Sequence, residues 1–319
     1  MHGQTGGRRE TADRCKGGRW TITRRDLLKA SGALLGPLSA AGPLTAGNRP
    51  DRKTIARFGL FADAHYADAE PRMRRYYRQS TAKLAECVKR MTEKKADFLI
   101  ELGDFKDQAR RPTKESTLAY LRRIEAAFKE FKGPRYHVLG NHDADSISKA
   151  QFLASVENAG IPRDSTYYSF DRKGLHFVVL DANYRADGAD YDCGNFNWTD
   201  ANVPKAELDW LKRDLAAAAS PVIAFVHQQL DGKGAHVVKN AEAVRKVLQA
   251  HKEVLAVFQG HNHAGAYSRI EGIHYYTLKA MVEGQGEQNN SYALVEVLDN
   301  HDLVVTGYRK AVGSVLGKA

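Results

Sequence analysis

The sequence predicts an α/β fold, a largely parallel β-sheet with helices packed on its outside. Three observations predict it. Between residues 55 and 141 three apolar, strand-like runs alternate with two amphipathic helical stretches, a pattern that calls for parallel pairing through crossover helices. Residues 204–258 repeat the theme as helix, strand, helix, strand. Finally, five of the apolar runs stop at the same kind of residue: aspartate, asparagine or histidine, often beside a glycine.

Taken in order, residues 55–62 alternate well enough for a buried strand and end in Asp63-Ala64-His65. Residues i and i+2 of a strand point to one side, so a carboxylate and an imidazole are presented together. Asp68 and Glu70 follow in a loop and read as solvated acids, because no strand end positions them. Arg72-Met73-Arg74-Arg75-Tyr76-Tyr77-Arg78 then leads into a helix reaching about residue 95, whose buried face is marked by Leu84, Val88 and Met91. On residues alone this Arg/Tyr cluster has two readings. It is either a grip for a phosphate with an aromatic for a base, or the solvated first turns of the helix with two packed tyrosines.

A second strand over 98–102 ends in Gly103-Asp104-Phe105-Lys106-Asp107. A helix over 114–132 carries Leu118, Leu121, Ile124 and Phe128 on one stripe. The strand after Pro134, with Val138-Leu139 as its apolar run, stops at Gly140-Asn141-His142-Asp143. Residues 167–170 and 175–180 form a hairpin around Arg172-Lys173-Gly174, and 182–203 is an irregular surface loop. A helix over 204–219, with Leu208, Leu211 and Leu215, precedes the strand 222–226, which ends at His227. Asn240 is placed to cap a helix running to about 251. The strand 254–258 leads into Gly260-His261-Asn262-His263, and 267–270, 273–278, 292–298 and 303–308 read as short strands.

The 319 residues are 43% hydrophobic and 27% charged, enough for one substantial core or at most two domains. No apolar run approaches the roughly 20 residues of a membrane span. The net charge of +10 divides in two: residues 1–46 hold eight basic and three acidic residues, and the remainder 40 basic and 35 acidic. A body that mildly basic fits a small anionic substrate and equally an ordinary soluble surface. It argues against nucleic acid as a partner, as do the only 56 residues after His263, short for a DNA-handling cap domain. Cys15, Cys87 and Cys193 show no zinc spacing. Cys87 reads as core, and a Cys87–Cys193 disulfide stays open.

The first segment reads as an address. Thr23-Arg24-Arg25-Asp26-Leu27-Leu28-Lys29 precedes a weakly apolar run from 30 to 44, broken by Gly32, Gly36, Pro37 and Pro43. This resembles a twin-arginine export signal. It implies the twin-arginine export machinery as a partner, removal of residues 1–46 near Ala41 or Ala46, and a periplasmic or extracellular single domain over 47–319. The alternative, a short amphipathic helix capped by Thr23, is opposed by the prolines and glycines.

Five strands therefore end in Asp63/His65, Asp104, Asn141/His142, His227 and His261/His263. An open α/β sheet brings the carboxyl ends of its strands to one edge, where ligand sites form. Four imidazoles, two carboxylates and an amide, without a thiolate, suit divalent or trivalent ions such as Mn, Fe, Zn or Co. Seven ligands are too many for one ion and fit two that share a carboxylate, about 3.5–4 Å apart, holding a bridging hydroxide for in-line attack at phosphorus.

With these motifs the chain resembles the calcineurin-like metallophosphoesterases. The resemblance implies a four-layer αββα sandwich of two mixed sheets flanked by helices, with the C-terminal strands completing the second sheet. It implies one metal on Asp63, His65, Asp104 and His263, and another on Asp104, Asn141, His227 and His261. His142 is then no ligand. It protonates the leaving oxygen or steadies the phosphoryl oxygens, with Asp143 holding its imidazole.

Arg74-Arg75-Tyr76-Tyr77-Arg78-Gln79-Ser80, the segment from Phe196-Asn197 to Leu208-Asp209-Trp210-Leu211, and Gly265-Ala266-Tyr267-Ser268 after the last histidine motif resemble the manganese-dependent ADP-ribose/CDP-alcohol diphosphatases. That resemblance implies nucleoside diphosphate-alcohol or -sugar substrates, with Arg75 and Tyr77 as substrate contacts. A phosphomonoesterase or a cyclic-nucleotide phosphodiesterase shares every ligand and differs only in the pocket loops, chiefly 66–78 and 182–203. A non-catalytic scaffold of the same fold would have lost ligands that this chain keeps.

Overall fold

The computed structural model describes residues 52–195 and 197–318. Residues 1–46, expected to form an export signal, and Phe196 lie outside the described residues. Among those described are twelve β-strands and five α-helices, and no helix is long and apolar enough to cross a membrane.

The predicted alternation is realised as β1 (Thr54–Phe61), α1 (Ser80–Glu93), β2 (Phe98–Glu101), α2 (Lys114–Phe128) and β3 (Arg135–His137). β1 pairs parallel with β2, and β2 with β3. Thr113 caps α2 by accepting from the Ser116 amide, a contact that typically contributes about 1 kcal/mol. β3 is shorter than expected, because its ladder ends at His137 and Val138-Leu139 already lies beyond it. A short helix, α3 (Lys149–Ser155), follows that the apolar pattern did not reveal.

The second half begins with the expected hairpin, β4 (Tyr168–Arg172) and β5 (Leu175–Val179). It continues through α4 (Lys205–Ala217), β6 (Val222–Val226), α5 (Ala241–Gln249) and β7 (Val254–Gln259). Asn240 does not cap α5 with its side chain. Its amide instead makes two bonds to the main chain of Val203, tying the loop before α4 to the start of α5.

The last strands divide between the sheets. β8 (Ala266–Ile270) and β9 (Ile273–Thr277) extend the second sheet, whose order is β4-β5-β6-β7-β9-β8. However, β10 (Ser291–Leu298), β11 (Leu303–Arg309) and β12 (Ser314–Leu316) return to the first, in the order β12-β11-β10-β1-β2-β3. The expectation that the C-terminal strands complete the second sheet thus holds only for β8 and β9. Eight consecutive buried residues explain β10's place: a strand buried on both faces belongs in a sheet interior, and β10 lies antiparallel between β1 and β11.

The two sheets meet face to face through aromatic rings. Phe58 of β1 stacks on Phe98 of β2 at 5.1 Å and meets Phe177, Phe225 and Phe258 of the opposite sheet edge-on at 5.7–5.8 Å. A side chain so placed typically stabilises a core by about 3–5 kcal/mol relative to alanine. Leu84, Met91, Leu121 and Phe128 seal the outer face of the first sheet, and Leu211, Leu215, Val244 and Leu248 that of the second. The result is the four-layer αββα sandwich. Cys87 belongs to this seal as a buried free thiol, so the Cys87–Cys193 disulfide does not form.

Behind the strand ends lies a buried charged triad. His137 Nδ1 is 3.1 Å from Glu101 Oε1, and its Nε2 is 3.3 Å from Glu125 Oε2. Burial alone would lower the imidazole's pKa, but Glu125 and Glu101 outweigh it and raise the value to about 9. A value raised on folding means stability held below the unfolded pKa, near 6.5, and lost as pH rises through about 9. Burial raises Glu101 as well, which acts with the same sign. At 1.4 kcal/mol per pKa unit the histidine's contribution is at most about 3 kcal/mol. The melting temperature of the metal-free protein is therefore expected to fall between pH 7 and 9.5. His137→Gln should start lower and fall less, and parallel curves for the two proteins would exclude this account.

Candidate active site

Each functional side chain sits just past a strand, on backbone that only a well-supported loop can hold. Asp63, His65, Asp104 and His261 all adopt left-handed conformations, with φ of 54°, 46°, 56° and 64°. Such conformations cost a non-glycine residue about 1–2 kcal/mol each and persist where surrounding contacts impose them. Here the Asp63 amide donates to Gly103 O at 3.0 Å and the His65 amide to Asp104 O at 2.8 Å, so the first two loops brace each other. Glycine is required where they pass close by. A Cβ on Gly103 would lie 2.5 Å from His227 Nδ1, and one on Gly140 would lie 2.1 Å from the Asp104 amide.

The ends of β1, β2, β3, β6 and β7 converge as the sequence predicts. Among the described residues four overlapping groups of ligating atoms form, chief among them the sets Asp63/His65/His263 and Asp104/His227/His261, with His65/Asp104/His142 between them. Asp104 links them: its Oδ2 is 3.5 Å from His65 Nε2 and 3.2 Å from His227 Nε2. Within the first set His263 Nε2 lies 3.5 Å from Asp63 Oδ1 and 3.2 Å from His65 Nε2. Two imidazole nitrogens facing each other, each also within 3.5 Å of a carboxylate oxygen, are an arrangement that a cation between them stabilises.

The residues fit metal ions by three tests internal to the chain. Asn141 Oδ1, His227 Nε2 and His261 Nε2 are buried and have no hydrogen-bond partner, a costly state for polar atoms unless an ion satisfies them. The opposite ring nitrogens are tied down: His65 Nδ1 to Asp107 at 3.0 Å, His263 Nδ1 to Glu283 at 2.9 Å, and His227 Nδ1 donating to Leu102 O at 2.7 Å. This orients each Nε2 inward, the usual support of a metal-bound histidine. Moreover, burial, followed by the neighbouring Arg75, lowers His65, and burial with His227 beside it lowers His261. Against burial, Asp104 raises His227 to about 9 and Asp63 raises His263, the same carboxylate pull that a cation would answer in place of a proton.

His142 comes to the same place. Its amide donates to Asp104 Oδ1 at 2.7 Å, and its side chain is a quarter exposed. Asp143 does not hold its imidazole. The Asp143 carboxylate is turned inward and accepts from the amides of Gly140, Asp104, Phe105 and Lys106 at 2.9–3.3 Å, which locks the second loop to the third. His142 Nδ1 faces Asp107 and Asp145 instead, each at 3.4 Å. Burial would lower its pKa, yet Asp107 and Asp104 raise it well above the ordinary value.

Arg75 reaches Asp107 at 3.3 Å with its side chain 30% exposed, so it stands at the rim of the first ligand set. Tyr77 is buried among Ala67, Ala280 and Val282, a packed position rather than an open one. Asp107, Asp145 and Glu283 are functional neighbours that the sequence reasoning passed over. The first two were signalled by acids three residues after Asp104 and after His142. Glu283 had no such signal, lying in irregular chain 20 residues beyond His263. On the opposite side Trp198, 39% exposed, stands 5.7 Å from the His261 ring and 5.3 Å from that of His236.

Comparison with known proteins places this geometry. A family model described as calcineurin-like phosphoesterase matches residues 56–265. The manganese-dependent ADP-ribose/CDP-alcohol diphosphatase of Oryza sativa is 27% identical over 284 residues, 73% of this chain and 85% of that protein. The enzyme of the same name from Arabidopsis thaliana is 25% identical over 301 residues, 78% of this chain and 93% of that protein. In fold, a dimetal phosphatase from Danio rerio superimposes with a TM-score of 0.71 at 21% identity, covering 84% of this chain and all of that one.

Proposed function

The chain belongs to the calcineurin-like phosphoesterase family and is a metal-dependent hydrolase of phosphoric esters; from that premise we propose that it cleaves the diphosphate of nucleoside diphosphates bearing an alcohol or a sugar. One observation carries the proposal. The two ligand sets linked by Asp104 are flanked by a guanidinium, Arg75, beside His65 and by an open aromatic ring, Trp198, beside His261. Arginine is suited to a charged diphosphate and an exposed indole to a nucleobase. The relatives named as ADP-ribose/CDP-alcohol diphosphatases support the same substrate class.

In this reading Asp63, His65, Asp104 and His263 hold one ion, and Asp104, Asn141, His227 and His261 the other. Bound there, the ions supply Lewis acidity to the phosphoryl oxygens and acidify a water for in-line attack. Manganese is the proposed ion, with iron or zinc as alternatives. The chain's own work is to place and protonate. Arg75 balances the charge of the phosphate that is not attacked. Asp107 and Asp145 hold the His142 imidazole so that it delivers a proton to the departing oxygen.

The full chain loaded with Mn²⁺ is to be offered ADP-ribose, CDP-glycerol, a cyclic nucleotide and a simple phosphomonoester, with products followed by phosphorus NMR. Preferential release of AMP and CMP is expected. Preference for the monoester or the cyclic nucleotide would overturn the substrate assignment while leaving the phosphoesterase chemistry in place.

A further inference from the structure

Residues 280–284 run beside the first ligand set as an irregular strap that belongs to no named strand, yet its main chain is almost fully hydrogen-bonded. The amides go one way. Ala280 donates to His263 O at 3.2 Å, Met281 to Ala62 O at 2.9 Å, Val282 to Asp63 O at 3.1 Å and Gly284 to Arg74 O at 2.8 Å. The Val282 carbonyl accepts from the Tyr76 amide at 3.1 Å. The strap therefore joins two metal-ligand loops to the arginine-bearing segment 74–76.

The other carbonyls go to two lysines. Lys83, 1% exposed on α1, donates its ammonium to Met281 O and Gly284 O at 2.8 Å and to Glu283 O at 3.4 Å. Lys310, just after β11, donates to Glu283 O at 2.5 Å and to Ala280 O at 3.5 Å. A buried ammonium is costly unless several acceptors converge on it, and here they are backbone oxygens of one short segment. At the centre of that segment the Glu283 side chain accepts from His263 Nδ1 at 2.9 Å and forms an ion pair with Arg74 at 3.1 Å.

We propose that Lys83 and Lys310 are positioning residues that, by clamping the strap, aim Glu283 at His263 and so set the orientation of a metal ligand. The inference rests on the reading of His263 as a ligand, not on any particular substrate. Burial lowers both lysines to about 8, followed for Lys83 by the charge of Lys310, with Glu283 opposing in each case.

The test is calorimetric titration of the metal-free full chain with Mn²⁺, for Lys83→Met, Lys310→Met, Glu283→Gln and the double variant K83M/E283Q. Loss of a group that orients a metal-bound histidine typically weakens affinity by about 10–100-fold. Lys83→Met is expected to weaken Mn²⁺ binding about tenfold. In the E283Q background the same change should have little further effect, because it acts through that carboxylate. Lys310→Met, at a half-buried position, is expected to produce a smaller weakening of the same kind and guards against misfolding of the Lys83 variant. Lower melting temperatures with unchanged Mn²⁺ affinity would overturn the proposal, as would an equal loss in the presence and absence of Glu283. A parent chain that takes up no Mn²⁺ would sink the metal reading and this inference together. Inactivity on nucleoside diphosphates would touch only the substrate assignment.

Discussion

Asp104→Asn is expected to reduce phosphoester hydrolysis by about a thousandfold or more, beyond the 10–100-fold typical of changes outside the ligand set. The reason is geometric. Asp104 Oδ2 is the atom that approaches both His65 and His227, so it links the two ligand sets. An amide there presents one neutral oxygen and a nitrogen with no lone pair to give. Two like-charged ions a few ångströms apart then lose the anion between them. The substitution is mild elsewhere, since an asparagine Oδ1 still accepts the His142 amide that Asp104 holds at 2.7 Å. Metal analysis should show about one ion in place of two, with the fold unchanged by circular dichroism. Two tightly held ions and near-parental turnover would exclude Asp104 as the bridge.

What the sequence made legible was the framework and the ligands, because both follow from local rules. Apolar runs such as 98–102 and 222–226 cannot be left in water, and polar residues that interrupt them at one end are conspicuous. The rule that parallel strands end at one edge accounts for Asp63, Asp104 and Asn141 on the first sheet and for His227 and His261 on the second. That the two edges lie together, however, follows from the face-to-face packing of the sheets. The return of β10 and β11 to the first sheet was not legible, since a buried antiparallel strand carries no mark of which sheet it joins. The role of Asp143 was misread for a related reason. Adjacency in sequence placed it beside His142, but the tight turn of residues 141–144 points the two side chains apart and leaves Asp143 to collect four backbone amides. Glu283 was invisible because what places it, two lysines from distant elements, acts on main-chain oxygens that no motif records.

The corrected surroundings of His142 sharpen what its removal should do. Asp107 and Asp145 both face its Nδ1, and Asp145 is itself paired with the buried Lys106. The ring thus turns one nitrogen toward two carboxylates while the other remains for the reacting oxygen. A group so held matters only when the departing oxygen needs a proton. His142→Ala is accordingly expected to slow cleavage of an alkyl phosphate ester by about 10²–10⁴-fold, the usual range for general acid catalysis. Cleavage of a nitrophenyl ester, whose leaving group departs as a stable anion, should fall far less, and two ions should remain bound. Asp145→Asn should reproduce part of this selective loss, because it touches His142 without touching His65. Asp107→Asn should not be selective, since Asp107 also supports His65 and Arg75. Equal losses on both esters for His142→Ala would instead assign the imidazole to binding the phosphoryl oxygens, a contact needed whatever the leaving group.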